Sequence, residues 1–571
     1  MDKKIKVIID GKEFFANENQ TILEVARENG IRIPFLCFHP DLEIKANCRI
    51  CVVEIKGEKE LQTSCSIKVK NGMEILTNSP RVRRARKFNL ELLFSQHKKE
   101  CSKCFWYLNC RLLNLAKTHN VKITRFVDRK RNRKIYKFGP IIFDGKKCID
   151  CQNCFEVCPV KYLEIKNKGP EIEVFPSPKK NKECIYCGQC IVHCSVGAIQ
   201  EENDLKRIEN FLQRKNKVMV AQFAPSIRTT IGEGFDFSYG KDLTEKITAG
   251  LKKIGFNFVF DTAVGADFTT VAEAEELIER LKTGKHLPMF TSCCPAWVNF
   301  VEFYQPKLIP HLTTVRSPHI ILGGVIKNYF AKKEKINLKN IIVVSIMPCT
   351  AKKYEIKRKE LKIKGISPVD YVLTTRELIQ LFKKHKIDLK NINPEKPDLP
   401  LGFPTGAGVI YGSSGGVMES ALRTVYQKLT QQPLTKINFE KVRGMDGVKT
   451  ATININGKEI KVGVVNDLKN IKTILEEIKN NPESFHYLEV MACRGGCVGG
   501  GGQPLPVDDK IRKARSSGLY QIDEQREIRL AHENPVVKDF YQFASKEIIR
   551  SITQTKYSSK KKTRIKILRK I

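Results

Sequence analysis

The first clear pattern along the chain is a short alternation of apolar and polar residues near its N-terminus. Ile5–Ile9 alternates, Gly11–Lys12 forms a turn signal, and Glu13–Ala16 resumes the alternation, which predicts a β-hairpin. Thr21–Gly30 follows with helical spacing, a threonine at the N-cap position and a terminal glycine, which predicts a helix. Residues 1–79 are therefore expected to form a small β-rich domain.

A different pattern begins near Val218, where apolar runs alternate with segments of helical periodicity. The apolar runs are Val218–Pro225, Phe256–Phe260, Leu287–Phe290, Ile341–Met347 and His486–Met491. The helical segments between them include Asp242–Ile254, Val271–Lys282 and Thr375–Lys386. This alternation favours an α/β domain with a parallel sheet, in which functional residues gather at the carboxyl ends of the strands.

Length and composition predict a folded chain of several domains. The chain has 571 residues, of which 41% are hydrophobic and 28% are charged. The longest strongly apolar run, Ile341–Met347, is far shorter than the roughly 18–20 residues that a membrane span needs, so no span is expected. Because the first strand pattern begins four residues after Met1, we expect neither a signal peptide nor a transit peptide, and a cytoplasmic location.

The formal net charge of +38 has three possible interpretations. One interpretation is a compositional bias of the whole proteome towards Lys, Ile and Asn, and another is a surface that attracts acidic partners such as ferredoxin. Nucleic-acid binding is the weakest interpretation, because the basic residues are spread throughout the chain. The densest basic run, residues 556–571, is expected to be a solvated terminus.

Nineteen of the twenty cysteines fall into five sets with the spacing of cluster ligands, which favours a reducing and anaerobic interior. The first set is Cys37, Cys48, Cys51 and Cys65. It resembles that of a plant-type [2Fe–2S] ferredoxin, although its first two members are further apart than usual. A zinc site is the alternative.

A histidine precedes the next three cysteines, directly after a segment, Arg81–Gln96, that is predicted to be helical. The members are His97, Cys101, Cys104 and Cys110, and a basic linker, Arg129–Lys134, follows them. The set resembles the His-ligated [4Fe–4S] unit that iron-only hydrogenases share with a peripheral subunit of complex I. A zinc knuckle is the alternative.

Two runs with the spacing C-x2-C-x2-C-x3-C come next. In two-cluster ferredoxins, the fourth cysteine of each run ligates the other cluster. One predicted set is therefore Cys148, Cys151, Cys154 and Cys194, and the other is Cys184, Cys187, Cys190 and Cys158. Ser195 replaces the usual proline after the second run, and we expect only a local effect on the loop.

The remaining cysteines follow three of the apolar runs, at the predicted strand ends. They lie in Thr291-Ser-Cys-Cys-Pro295, in Met347-Pro-Cys-Thr-Ala-Lys-Lys353 and in Met491-Ala-Cys-Arg-Gly-Gly-Cys497. These motifs resemble the signatures of the [FeFe]-hydrogenase active-site domain. The resemblance covers almost the whole chain, including the order of the accessory cluster motifs, and extends to Gly412–Glu419 and His532–Pro535.

The resemblance implies a [4Fe–4S] cubane linked to a diiron unit that carries CO, cyanide and an azadithiolate. The implied cubane ligands are Cys294, Cys349, Cys493 and Cys497, and Cys497 would also bridge to the diiron unit. Lys352 would donate to a cyanide. The implied pocket residues are Ala224, Pro225, Ser226, Ser317, His319, Met347, Tyr411 and Met491.

Two pocket positions differ from the family. The family usually has Phe where this chain has Tyr411, and Gln where it has His319. A histidine can titrate near neutral pH, so His319 is expected to change inhibition by ligands and the response to oxygen.

Cys293 is the one cysteine outside a ligand set, and it stands beside Cys294. A thiol in that position can relay a proton. Glu273, Glu276 and Arg280 share one face of a predicted helix, which by itself is typical of a solvated surface. The resemblance instead implies a proton path through Cys293, Glu273, Thr313, Glu276 and Arg280.

The resulting expectation is a multidomain α/β chain. A β-grasp [2Fe–2S] domain would occupy residues 1–79, a small helical His/Cys3 unit with its linker 80–139, a two-cluster ferredoxin module 140–208, and a two-lobed active-site domain 209–571.

The resemblance implies a hydrogenase that interconverts protons and H₂. Its expected cofactors are one [2Fe–2S] cluster, four [4Fe–4S] clusters including the cubane, and the diiron unit. Acidic ferredoxin and hydrogenase maturation proteins are the expected partners. The alternatives are a hydrogenase subunit of a larger NADH- or ferredoxin-linked complex, an electron-transfer subunit like that of complex I, an iron–sulfur assembly factor and a hydrogen sensor.

Overall fold

The chain is mixed α/β, with several short sheets in two units, as described by a computed structural model. The structure describes residues 4–95, 97, 101, 110–123, 125–126, 133–167, 172–179, 181–432, 434, 437–560 and 565–568. The first unit comprises Met1–Lys182, His193–Gln200 and Arg564–Ile571. The second comprises Glu183–Val192 and Glu201–Thr563.

The first unit begins with the predicted hairpin, β1 (Lys4–Ile9) and β2 (Lys12–Asn17). The predicted helix follows as α1 (Ile22–Glu28), and Thr21 and Glu24 close a capping box at its start. A five-stranded sheet with the order β2-β1-β5-β3-β4 is completed by β3 (Val52–Ile55), β4 (Gln62–Thr63) and β5 (Met73–Leu76). Alternate β1 residues are buried with the apolar face of α1, as the alternation predicts.

The remainder of this unit consists of short elements around the cluster motifs. The predicted helix after residue 80 is α2, and the other elements are small. Their bounds are α2 (Pro80–Ser95), α3 (Arg111–Thr118), β6 (Ile135–Phe138), β7 (Ile141–Asp144), α4 (Asn153–Val157), β8 (Leu163–Lys166), β9 (Glu173–Pro176) and β10 (Ile199–Glu201).

The second unit contains two four-stranded sheets. The order β12-β11-β14-β15 is wholly parallel and is built from β11 (Val218–Phe223), β12 (Phe258–Asp261), β14 (Ile341–Met347) and β15 (Tyr371–Thr374). The order β13-β18-β17-β16 is built from β13 (Met289–Phe290), β16 (Val448–Ile455), β17 (Lys458–Asn466) and β18 (Tyr487–Met491). The second sheet departs from the parallel prediction, because β16 and β17 form an antiparallel hairpin around Asn456-Gly457, where both residues have positive φ.

Helices cover both sheets of this unit. They are α5 (Gln189–Val192), α6 (Leu205–Leu212), α7 (Thr244–Ile254), α8 (Thr262–Thr283), α9 (Pro295–Tyr304), α10 (Pro318–Val325), α11 (Ala331–Lys333), α12 (Ala351–Glu355), α13 (Thr375–Lys384), α14 (Gly406–Val409), α15 (Gly416–Thr430), α16 (Ile471–Asn480), α17 (Asp509–Glu524), α18 (Pro535–Phe543) and α19 (Lys546–Thr553). Helix α8 begins nine residues before its predicted start. Its first half is buried on all sides, and such a segment has no amphipathic period to read.

The basic terminus also differs from expectation. Within residues 556–571, β19 (Lys566–Leu568) pairs antiparallel with β6 in the first unit, so this part is a strand and not a freely solvated tail. Among the described residues, no helix combines the length and the apolar character that crossing a membrane requires.

Candidate active site

Four cysteines reach one cavity in the second unit from the ends of three strands. Cys294 follows β13, Cys349 follows β14, and Cys493 and Cys497 follow β18. The cavity has an empty volume of about 700 Å³. The four implied cubane ligands therefore line one cavity. Three of them follow β13 and β18, whose carboxyl ends lie at one edge of their parallel pair, and Cys349 comes from the end of β14 in the other sheet.

The surroundings of these thiols suit an iron cluster. Burial raises the pKa of Cys349 and of Cys497 to about 12. Free thiolates are therefore unfavourable here, whereas a cationic metal centre offsets the cost of burying them. Four thiol donors around one cavity are also the ligand number of a [4Fe–4S] cluster.

The cavity is otherwise mainly apolar. Most of the predicted pocket residues line it, namely Ala224, Pro225, Ser226, His319, Met347, Tyr411 and Met491. Ser317 is not among the lining residues; it is buried at the N-cap of α10, directly before Pro318, which does line the cavity. Tyr411 has a hydroxyl that the family's usual Phe lacks. This buried hydroxyl hydrogen-bonds with Thr270 Oγ1 over 2.8 Å.

Lys352 extends into the cavity and is held by one carboxylate. Its Nζ lies 2.9 Å from Glu355 Oε2 and donates to the Cys293 carbonyl over 3.2 Å. Burial opposes a charge on Lys352, but Glu355 outweighs it and the pKa of Lys352 is raised. Burial alone would raise the pKa of Glu355, yet Lys352 and His319 lower it to about 2. The site therefore holds a buried cation with its own counter-ion.

The sequence did not lead us to predict Glu355 as a site residue, although its spacing from Lys352 could have done so. It lies three residues after Lys352, and residues with this spacing share one face of a helix.

The surroundings of His319 disfavour the titration near neutral pH that its residue type allows. Its Nε2 lies 2.7 Å from Glu355 Oε2, and its Nδ1 lies 3.2 Å from Ser345 Oγ. Burial and the charge of Lys352 lower the pKa of His319 to about 4, and Glu355 offsets only part of this. The imidazole is therefore neutral at physiological pH and donates from Nε2 to the Glu355 carboxylate.

The inner part of the implied proton path is fully buried. Cys293 lines the cavity, and Glu273 on α8 is 1% exposed. Burial raises the pKa of Glu273 to about 8; the Tyr487 hydroxyl opposes this, and Glu276 and Glu489 add to it. Burial and the Glu273 carboxylate raise the pKa of Cys293 well above its usual range. Both groups are therefore protonated at neutral pH.

The outer part of the path is a closely bonded cluster around Glu276. Its carboxylate accepts hydrogen bonds from Thr313 Oγ1 over 2.9 Å, from Thr314 Oγ1 over 2.8 Å and from Arg280 Nη2 over 2.5 Å. The sequence did not lead us to predict a role for Thr314, the neighbour of Thr313. Among the described residues, no hydrogen bond joins Glu273 to Glu276 or to Cys293, so transfer between them needs a rotamer change or a bridging water.

The predicted [2Fe–2S] ligands also meet, in the first unit. The backbone N–H of Cys48 donates to Cys37 Sγ over 3.4 Å, and that of Cys37 donates to Cys48 Sγ over 3.5 Å. Cys51 and Cys65 are buried and share a hydrogen bond that lowers the pKa of Cys51. This donor set fits a [2Fe–2S] cluster.

His97 is oriented as a metal ligand requires. Its Nδ1 lies 3.0 Å from the Lys147 carbonyl, and a carbonyl can only accept, so Nδ1 carries the proton and Nε2 keeps its lone pair. Cys110 is the N-cap of α3, and Cys101 is partly buried. Cys104 and most of the basic linker lie outside the described residues.

The two ferredoxin-like runs divide between the units. Cys148, Cys151, Cys154, Cys158 and Cys194 belong to the first unit. Cys184, Cys187 and Cys190 belong to the second, in the segment Glu183–Val192. The assignment of these eight thiols to two clusters remains a prediction.

In the second unit, the segment with Cys187 packs against the loop of Cys497. Gln189 donates to the Gly499 carbonyl over 3.0 Å, and Thr350 donates to the Tyr186 carbonyl over 2.7 Å. A Cβ on Gly501 would lie 2.2 Å from the Cys187 carbonyl oxygen, so this close approach requires glycine.

Five family descriptions match consecutive parts of the chain. "Iron only hydrogenase large subunit, C-terminal domain" covers residues 217–501, and "Iron hydrogenase small subunit" covers 509–548. Three iron–sulfur descriptions precede them: a 2Fe-2S cluster binding domain over 2–80, the NADH-ubiquinone oxidoreductase-G iron-sulfur binding region over 86–125, and a 4Fe-4S dicluster domain over 140–208.

Full-length relatives and solved structures agree with these descriptions. The NADP-reducing hydrogenase subunit HndD of Solidesulfovibrio fructosivorans is 39% identical over 94% of this chain and 95% of its own length. Iron hydrogenase 1 of Clostridium pasteurianum is 36% identical over 94% of this chain and 96% of its own length. A structure of the apo [FeFe]-hydrogenase HydA1 from Chlamydomonas reinhardtii matches with a TM-score of 0.56 and 33% identity, over 62% of this chain and 99% of that one.

Proposed function

The chain belongs to the iron-only hydrogenase family, and we propose that it interconverts protons and H₂ at the cavity lined by Cys294, Cys349, Cys493 and Cys497. It is an oxidoreductase with iron–sulfur domains of the 2Fe–2S and 4Fe–4S types before the catalytic domain. The observation that carries the proposal is the convergence of four ligand thiols, one further thiol and a buried lysine on a single apolar cavity.

The proposed cofactor is a cubane held by the four cysteines, joined through Cys497 to a diiron unit with CO, cyanide and azadithiolate ligands. When bound, this group supplies the metal site at which hydrogen is formed or split and electrons are exchanged. Lys352 would donate to a cyanide ligand, and its ammonium suits an anionic group. Glu355 holds Lys352 in place through an ion pair, and the cavity lining is mainly apolar.

The chain's own part in catalysis is to hold and move protons. Arg280, Thr313 and Thr314 hold the Glu276 carboxylate at the outer end of the path. Glu273 carries a proton at neutral pH on a carboxyl group that is buried next to the cavity wall. Cys293 lines the cavity, and its thiol is the last proton-bearing group of the proposed path. The gap on either side of Glu273 makes its side-chain motion, or a bridging water, part of the transfer.

Electrons would come through four accessory clusters: the [2Fe–2S] cluster, the His97-ligated [4Fe–4S] cluster and two further [4Fe–4S] clusters. The packing of the Cys187 segment on the Cys497 loop supports the last transfer, because Gln189 donates a hydrogen bond from the first to Gly499 in the second. We propose an acidic ferredoxin as the carrier, maturation proteins as the source of the diiron unit, and a cytoplasmic location. The proposed domains are 1–79, 80–139, 140–208 and 209–571.

The test is infrared spectroscopy of the anaerobically matured protein together with hydrogen evolution from reduced viologen. Bands of metal-bound CO and cyanide, accompanied by hydrogen evolution, are expected. Complete maturation without those bands would contradict the diiron assignment. Bands without hydrogen evolution or uptake would point to a non-catalytic member such as a sensor.

A second candidate is a hydrogenase subunit of a nicotinamide-linked complex, because the relative from Solidesulfovibrio fructosivorans bears the name NADP-reducing hydrogenase subunit. The two candidates differ in what the isolated chain can do. As a subunit it would still react with viologen but would couple to a nicotinamide only in the presence of partner chains. Ferredoxin-linked turnover by the isolated chain favours the first candidate.

A further inference from the structure

A chain of buried hydrogen bonds runs from the interior of the wholly parallel sheet to Lys352 at the cavity. It begins at Gln222 on β11 and Ser345 on β14, which are paired in register and fully buried. Gln222 Nε2 donates to Ser345 Oγ over 2.7 Å and to the His319 carbonyl over 2.9 Å. A carbonyl can only accept, so the amide nitrogen is identified and both of its hydrogens are used.

The next hydrogen bonds of this chain have a fixed direction. Ser345 Oγ lies 3.2 Å from His319 Nδ1, and His319 Nε2 lies 2.7 Å from Glu355 Oε2. Because the Glu355 carboxylate can only accept, Nε2 of the neutral imidazole carries the proton. Nδ1 then has a lone pair and accepts from the Ser345 hydroxyl, whose oxygen is free to accept from Gln222. Each group of the chain therefore donates towards Glu355.

Glu355 is the point at which this chain meets Lys352. Glu355 Oε2 accepts from His319 and lies 2.9 Å from Lys352 Nζ, so both donors share one oxygen. Lys352 Nζ also donates to the Cys293 carbonyl over 3.2 Å. An ammonium group has three hydrogens in a tetrahedral arrangement, and these two contacts fix the directions of two of them. The direction of the third hydrogen is therefore fixed as well.

We propose that His319 and Ser345 are positioning residues, which act through Glu355 to hold Lys352 in the orientation for donation to an anionic ligand of the metal group. The proposal rests on the proposed function. The chain acts by orientation alone, and no proton or electron passes along it. A donor that is already oriented needs no rearrangement when the ligand is bound, which strengthens its hydrogen bond.

The place of Ser345 in the chain allows a test that leaves the cavity wall intact. Among the described residues, Ser345 and Gln222 are not part of the cavity lining, whereas His319 and Lys352 are. A change at Ser345 therefore reaches the metal group through the chain or through a general loosening of the fold. Thr248→Val on α7 is the control for loosening, because it removes another buried, hydrogen-bonded hydroxyl of the same unit.

The experiment compares the infrared bands of metal-bound cyanide in the matured full chain and in its variants at equal iron content. Hydrogen evolution from reduced viologen is measured on the same samples. The variants are Ser345→Ala, His319→Leu, His319→Gln and Thr248→Val. If His319→Leu does not fold or mature, the comparison of Ser345→Ala with Thr248→Val decides the matter.

We expect His319→Leu to shift the cyanide bands and to lower hydrogen evolution by about threefold, because Glu355 loses one donor and Lys352 is held less firmly. Ser345→Ala should shift the same bands in the same direction by a smaller amount, since the imidazole can then adopt its other tautomer. His319→Gln should return the bands towards their parental positions, because its side-chain amide can donate to Glu355. Thr248→Val should leave the bands in place.

Parental cyanide bands and rate in a matured His319→Leu variant would overturn the role of His319. Equal shifts in His319→Leu and His319→Gln would assign the effect to side-chain shape and overturn the donor role. Ser345 would have no place in the chain if its variant kept the parental bands, or if Thr248→Val shifted them equally. Absence of cyanide bands from the fully matured parent protein would instead contradict the proposed function.

Discussion

The cysteine cavity of the second unit and the [2Fe–2S] loop of the first unit each bury four thiols, but their neighbours differ. Around the cavity lie a fifth thiol, Cys293, the carboxyl group of Glu273 and the ammonium of Lys352. Around the loop, the neighbours include the guanidinium groups of Arg86 and Arg111, which do not release protons at working pH.

The difference supports the proposed division between proton chemistry at the cavity and electron transfer at the loop. Ligand thiols alone give a site that stores and passes electrons. Proton chemistry needs acid and base groups beside the metal, with pKa values shifted towards the working range. The cavity has such groups in Glu273, whose pKa is raised to about 8, and in Cys293.

The largest effect is expected from removing the thiol that distinguishes the cavity. Cys293→Ala should lower hydrogen evolution with viologen by about 100-fold or more, because the last proton-bearing side chain is lost. Iron content and the infrared bands of the matured protein should remain. Cys293 would have no place in the proton path if the variant evolved hydrogen at the parental rate.

A smaller but more specific loss is expected for Glu273→Gln, roughly tenfold, because a water can partly take over the transfer. Glu273 has a pKa of about 8, so it is protonated at neutral pH and loses its proton as the pH rises past that value. Parental hydrogen evolution should therefore fall above about pH 8, and this inflection should be missing in the variant. The same inflection in both proteins would assign it to another group.

The reverse pattern is expected for the loop. Cys65→Ser should remove the [2Fe–2S] electron paramagnetic resonance signal and lower ferredoxin-linked evolution by about tenfold, while viologen-linked evolution changes by less than about twofold, since the ligand has no acid–base role. Loss of both activities in a folded, matured variant would mean that the loop also supports the cavity.

The smallest effect is expected at His319. His319→Gln keeps a donor towards Glu355, so the thermal unfolding free energy should change by less than about 1.5 kcal/mol. Because burial lowers the pKa of His319 to about 4, the activity profile between pH 5 and 8 should be the same in both proteins. An inflection near pH 6 that disappears in the variant would show that the imidazole does titrate in the matured enzyme.

The sequence by itself predicted the grouping of the cysteines into ligand sets and determined much of the local structure. Cysteine spacing indicated which thiols act together, and alternation and capping signals predicted β1, β2 and α1, because these depend on residues that are neighbours in the chain. Strand ends indicated where the active-site cysteines would meet. The buried first half of α8 and the β16–β17 hairpin were not predicted, since neither shows a simple polar and apolar period.

Only the tertiary structure decided the electrostatics of the site. His319 is a titratable residue in the sequence, but burial beside Lys352 and Glu355 keeps it neutral. Glu273 reads as a surface carboxylate, but the fold buries it and raises its pKa to about 8. A pKa depends on desolvation and on charges brought close by packing, so it belongs to the fold and cannot be read from residue type or spacing.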